Sequence, residues 1–481
     1  MNKAEPPEPV TTLVGLYMDA LTEMVAAILR ELEKGRKPQQ GREPGLSYQD
    51  NGMPSLSDGY FGSGGPPQYS DLLDPPYGDE AARKRGKYPT DQYPALNALR
   101  AFAAENPEAS PRFSSEIPRT LADINIQLEV ESAANGHVLM FGETAATPRS
   151  ANLALRKVLK SVVERRLRVA ILAPIAMVGF TFDRLRLAPD AFIMRMSAPL
   201  QKARWDAKAY GAKGHDSVLS AATHAFVLTG FTIENADIFA VGRTMSGLAT
   251  EPRERFELMF AALRLETGIE TGYAQELRLA RGWRTFGRLE RPEVYGVGAR
   301  RYPEAFDDFG WTRESVPKID REQMGRVRAF YAAMRTSTDP RLHLALRRLN
   351  AAAIRADAAD AILDATIALE ILLGDEAKEA ISWKLRMRAA ALAGMGGDRE
   401  AMDAMWAGVA RVYDVRSGIV HGLTSRKRQK SPAEIESARQ EALDILRMVL
   451  KALLAQPTFL KPGVIDRELL LSPSPPNSRD R

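Results

Sequence analysis

Arg416 and His421 stand five residues apart in the segment Arg416-Ser417-Gly418-Ile419-Val420-His421-Gly422. An arginine can hold a scissile phosphate with two parallel hydrogen bonds and offset the charge that builds as it is attacked. A histidine moves protons near neutral pH. Together they suit phosphodiester cleavage without a metal. On a regular helix, at 100° per residue, positions i and i+5 lie ~140° apart. The two side chains converge only if the helix loosens near His421, and Gly422 is a natural helix stop. A helix C-terminus also favours imidazolium, the form a general acid needs.

The spacing alone is weak. With 49 arginines and five histidines among 481 residues, one such pair is expected by chance about as often as not. The other constellations are weaker still. Gly211-Ala212-Lys213-Gly214 lacks the Walker spacing and its trailing Ser or Thr. Asp307-Asp308 has no histidine nearby in the sequence and reads as a turn before Gly310. His137, His215, His224 and His343 are isolated. There is no cysteine, which removes disulfides, thiol nucleophiles, iron–sulfur clusters and Cys-based zinc sites. The sequence therefore implies no metal site and no cofactor.

The elements that must position Arg416 and His421 are helices. From about Asp320 the pattern predicts helices over 320–336, 340–355, 357–374, 376–394, 398–421 and 432–455. Asp357 and Asp398 are plausible caps, and Ser431-Pro432 puts proline in a first turn. Upstream, residues from about 121 to 309 read as α+β. Ile124, Ile126, Leu128 and Val130 alternate with polar residues and predict a strand, with His137–Phe141 as a pairing partner. Further strands are predicted at 169–172, 185–187, 192–196 and 225–233, the last with a bulge at Gly230. Helices are predicted at 95–105, 151–166 and 253–265.

Five segments follow. Residues 1–35 form an amphipathic helix, with Val10, Val14, Tyr17, Leu21, Met24 and Ile28 as a short heptad-like seam. Residues 36–94 form a linker expected to be disordered, since 36–90 hold nine Gly and eight Pro. Residues 95–318 form an α+β sensor or substrate domain, 319–460 a helical bundle, and 461–481 a flexible tail. The start has no apolar secretory stretch, and the longest apolar run, Val169–Phe180, is too short to span a bilayer. A soluble, cytoplasmic protein with no membrane contact is the expectation. The net charge of +5 permits a polyanionic partner without demanding one.

Four segments then form a pattern: Leu344–Asn350 (LALRRLN), Asp360–Leu373 (DAILDATIALEILL), Ser382–Leu392 (SWKLRMRAAAL) and Tyr413–Gly422 (YDVRSGIVHG). In that order and spacing the chain resembles the Apea-like branch of the HEPN superfamily, over about residues 341–454. The resemblance implies a C-terminal all-α HEPN-like bundle after a mixed α+β domain. It places the family's Arg-x4–6-His motif on Arg416 and His421. Ser417 occupies the polar position after the arginine, where many nuclease members carry Asn, Asp or His. Glu370 matches the family's acid and either orients Arg416 or His421 or forms an ion pair with Arg386 or Arg388. Asp364 is expected to share its face.

The resemblance further implies a homodimer with two motifs facing one cleft, and RNA as substrate, cut by 2′-hydroxyl attack to leave a 2′,3′-cyclic phosphate. The implied role is an endoribonuclease effector of a bacterial toxin or anti-phage (abortive-infection) system, with a phage-derived trigger or partner protein. A non-catalytic HEPN module for dimerisation, or for nucleotide or partner binding, is the alternative. Arg426, Lys427, Arg428 and Lys430, four basic residues in five positions beside the motif, are candidate contacts to an RNA backbone. Trp383 is expected in the core.

Overall fold

The computed structural model describes residues 8–59, 64–75, 80, 87–113, 119–141, 148–207, 214–247, 250–284, 291–375, 380–395, 397–421 and 430–471. The fold is α+β. A six-stranded sheet runs in the spatial order Val294–Arg301, Tyr273–Ala280, Arg166–Ile175, His224–Glu234, Ala191–Arg195, Arg184–Ala188. Every neighbouring pair is antiparallel. The central strand is apolar on both faces because both are covered. The ladder between Arg166–Ile175 and His224–Glu234 slips between Val169 and Ile171, opposite Gly230, whose φ of 97° suits a bulge.

The helical half consists of Arg321–Thr336, Pro340–Ile354, Ala358–Leu373, Ile381–Ala393, Arg399–His421 and Pro432–Ala455. Five of the six start at a side chain that accepts from a free N–H of the first turn; Ile381–Ala393, preceded by Ala380, has no such cap. Asp320 and Ser431 form capping boxes with Gln323 and Glu434. Asp339 and Asp357 accept from Arg341 N and Asp360 N.

The bundle and the sheet share one core. Helix Thr250–Thr267 lies between them and buries Phe256, Met259, Phe260 and Leu263. Phe226 of the sheet meets Phe256 edge-on, with centroids 6.0 Å apart, and Tyr331 of the bundle at 5.8 Å. Arg264 Nη1 donates to Asn350 Oδ1 at 2.6 Å, and Asn350 Nδ2 donates to the Glu257 carbonyl at 2.9 Å. The expected 318/319 boundary therefore divides one continuous core.

A second core lies N-terminal to the sheet. Helices Glu8–Glu33, Pro94–Glu105, Arg119–Phe141 and Pro148–Val163 pack around Leu13, Tyr17, Leu21, Met24, Leu96, Leu99, Ile126 and Val130. The expected boundary at 94/95 runs through this cluster. Glu8–Glu33 is long and apolar enough to cross a membrane, but its apolar seam is buried against the protein's own helices.

Three expectations are corrected here. The 124–130 alternation is helix, within Arg119–Phe141. Its buried residues Ile126, Val130, Ala133, Ala134 and Val138 follow a helical period, while Ile124 and Leu128 are left exposed. The Pro/Gly-rich segment is structured in its described parts. Gly45–Tyr48 pairs with Pro54–Ser57, Met53 and Leu56 pack in a cluster with Trp205 and Trp311, and Leu72, Leu73 and Tyr88 enter the N-terminal core. The C-terminal segment is docked as far as 470, with Ile465 buried and Asp466 bound by Arg388 at 2.6 Å.

Candidate functional site

Helix Ala358–Leu373 buries Ala361, Ile362, Ala365, Ala368, Leu369, Leu372 and Leu373. This leaves Glu370 half-buried at the edge of that apolar face. Helix Arg399–His421 buries Val409, Val412 and Val415. That seam sets Tyr413 and Arg416, one turn apart, half-buried beside it.

The three side chains meet. The Tyr413 hydroxyl donates to Glu370 Oε1. Arg416 Nη2 lies 3.3 Å from the same oxygen. The Arg416 guanidinium carbon stands 5.4 Å from the centre of the Tyr413 ring, a cation–π distance. Burial, and then the Glu370 carboxylate, push the Tyr413 hydroxyl well above its ordinary range. It therefore stays a donor, and Glu370 stays fixed between Tyr413 and Arg416. Arg416 Nε is buried without a hydrogen-bond partner among the described residues. The guanidinium is held from one side, which leaves donors for an incoming anion.

The helix runs regularly to His421, its last residue. Positions 416 and 421 therefore lie ~140° apart about the axis. The His421 side chain and residues 422–429, with Arg426, Lys427 and Arg428, lie outside the described residues, as do 211–213 of the Gly211–Gly214 segment. Ser417 is exposed, next around the helix from Arg416. Lys430 lies on another side of the helix, 3.7 Å from Asp414. The groove it borders is walled by Asp414, Glu434, Glu441 and Asp444 against Arg411 and Lys430, a balance that does not favour a polyanion.

The alternatives for Glu370 are resolved in favour of Arg416. Arg388 is committed elsewhere: it donates to the Leu373 carbonyl at 2.6 Å, to Asp375 at 2.9 Å and to Asp466 at 2.6 Å. Arg386 stacks 5.6 Å from the Trp406 ring centre. Asp364 does not join Glu370. It is buried and accepts from Arg348 at 2.7 Å and Arg355 at 3.4 Å. Asp364→Asn is accordingly expected to cost about 1–3 kcal/mol of stability in urea unfolding, by weakening two charge-assisted bonds to a buried acceptor. It should leave any Arg416-dependent activity intact. Trp383 is also not in the core. It is 55 % exposed and meets Trp406 edge-on, with centroids 4.8 Å apart. Tyr413 is the site residue that sequence reasoning did not single out. Its signal is the i,i+3 spacing to Arg416 on one helix.

Among the described residues no three His, Asp or Glu side chains gather as a metal site. Comparison with family models, curated proteins and solved structures finds no match to this chain.

Proposed function

We propose that this chain is a metal-independent endoribonuclease of the HEPN type, acting in the cytoplasm as an effector of a bacterial toxin or anti-phage system. The observation that carries the reading is the Tyr413–Glu370–Arg416 arrangement, which braces a guanidinium on the helix that ends at His421. In this reading Arg416 holds the scissile phosphate and stabilises the phosphorane. His421 takes the proton from the 2′-hydroxyl or returns one to the leaving 5′-oxygen. Glu370 and Tyr413 position Arg416 without touching RNA.

Because positions 416 and 421 do not share a helix face within one chain, the active cleft combines motifs from two copies in a homodimer. The exposed Trp383 and the half-buried Trp406 support an interface on this side of the bundle, since aromatic side chains are enriched at such surfaces. The α+β half would receive the trigger or partner. Ser417, small and exposed, favours the second reading, a non-catalytic HEPN module that dimerises or binds a partner or nucleotide.

Incubating total RNA with the protein in EDTA, and mapping product ends, tests the proposal. Cyclic-phosphate ends from the parent and none from His421→Ala are expected. Equal cleavage by both would sink the assignment of His421.

A further inference from the structure

A cleft of about 680 Å³ lies between helix Thr250–Thr267, the Arg301 end of the sheet and helix Pro340–Ile354. We propose that this cleft binds a small phosphorylated ligand of nucleotide size. The inference rests on the cleft alone and stands or falls independently of Arg416 and His421.

The volume falls within the ~300–1,000 Å³ of small-molecule sites. Six arginines and three glutamates line the cleft, and there is no lysine. Guanidinium matches phosphate geometry in a way ammonium does not. The arginines are not all neutralised in place. Arg253 is committed to Glu276 at 2.8 Å. Arg355 is shared between Asp364 at 3.4 Å and Glu304 at 3.8 Å. Arg301 reaches Glu257 only at 3.9 Å and is half exposed. Arg347 is exposed and has no ion pair or hydrogen bond among the described residues. Arg301 and Arg347 therefore present charge to whatever enters.

The lining adds two features. Leu258, Leu346, Ala351 and Ile354 form an apolar stretch between the arginines. Inorganic phosphate has no use for such a surface, whereas a base or other planar group would cover it. Beside it, Arg264 is buried and donates only to neutral acceptors, Asn350 Oδ1 at 2.6 Å and the Thr271 carbonyl at 2.7 Å. Its charge acts through a low-dielectric wall and adds to the positive potential of the cleft.

Calorimetric titration of the full chain tests this, with ATP, tripolyphosphate and a single-stranded RNA oligonucleotide as probes. Saturable one-to-one binding of ATP is expected. Tripolyphosphate should compete, more weakly because it leaves the apolar stretch uncovered. Arg301→Glu and Arg347→Glu should each weaken ATP binding at least ten-fold. Arg313→Glu, an exposed arginine outside the cleft and paired with Glu270, should not. Arg301→Gln and Arg347→Gln, which add no new charge, serve should a reversal variant misfold. Four results would overturn the proposal: no saturable ATP binding at millimolar concentration, no competition by tripolyphosphate, no effect of either glutamine variant, or loss of RNA binding alone in the cleft variants.

Discussion

Arg416→Ala is expected to lower metal-free RNA cleavage by ~10²–10³-fold, the usual cost of removing one preorganised donor from a developing oxyanion. The loss should fall on kcat rather than KM, because the contact strengthens as charge builds in the transition state. Arg416→Lys should recover little, since an ammonium cannot reproduce the paired hydrogen bonds of a guanidinium. Glu370→Gln separates positioning from chemistry. The amide keeps its shape and an acceptor for Tyr413 but loses the charge that anchors Arg416. A smaller fall in kcat is expected, ~10-fold, with the folded fraction unchanged. Single-turnover cleavage of a defined RNA in EDTA reads both. Unchanged rates in Arg416→Ala would remove the arginine from the mechanism.

Glu129→Gln is expected to abolish a pH dependence of stability that resides in the N-terminal core. Glu129 is 1 % exposed, on helix Arg119–Phe141. Ser161 Oγ approaches one carboxyl oxygen at 3.4 Å, and the other oxygen has no hydrogen-bond partner among the described residues. Burial pushes its pKa up to about 8, against the opposing pull of the Arg112 guanidinium, with Glu293 adding to the rise. The buried Tyr17 hydroxyl faces the same pair.

The folded chain therefore holds a proton on Glu129 that the unfolded chain has released by about pH 4.3. Between that value and about 8 the folded state binds more protons, so stability falls as pH rises. The slope approaches ~1.4 kcal/mol per pH unit, and the total reaches several kcal/mol. Unfolding of wild type and Glu129→Gln, followed at pH 5, 6.5 and 8, checks this. The wild type should lose stability across the series relative to the variant, which is permanently neutral at this position. Parallel curves would show that Glu129 is ionised in the fold at every pH tested.

Some of this was legible in the chain and some was not. Five of the six C-terminal helices could be placed within a residue or two, and start signals at Asp357, Asp398 and Ser431 are side chains that do cap in the fold. These are local signals, set by backbone groups a few residues away. The core strands at 166–175, 191–195 and 224–234 were equally readable as apolar runs. Tyr273–Ala280 and Val294–Arg301 were not: the first is interrupted by Gln275, Glu276 and Arg278, the second by Gly296, Gly298, Arg300 and Arg301, and only pairing within the sheet makes them strands. The 124–130 segment satisfies a strand period and a helix period at once. Packing of Ile126 and Val130 against the N-terminal helix decided between them.

The candidate site divides the same way. Sequence alone determined that an arginine and a histidine stand five residues apart near a helix end, with an acid on an earlier helix. It could not say which arginine that acid meets, because Arg386, Arg388 and Arg416 are all plausible by order along the chain. The tertiary structure decided it. Arg388 is drawn away by Asp375, Asp466 and the Leu373 carbonyl, and the packing of two helices brings Glu370 to Tyr413 and Arg416. The arginine-lined cleft was invisible for the same reason. Its walls come from stretches dozens of residues apart, and such proximity is a product of the shared core, not of any local pattern.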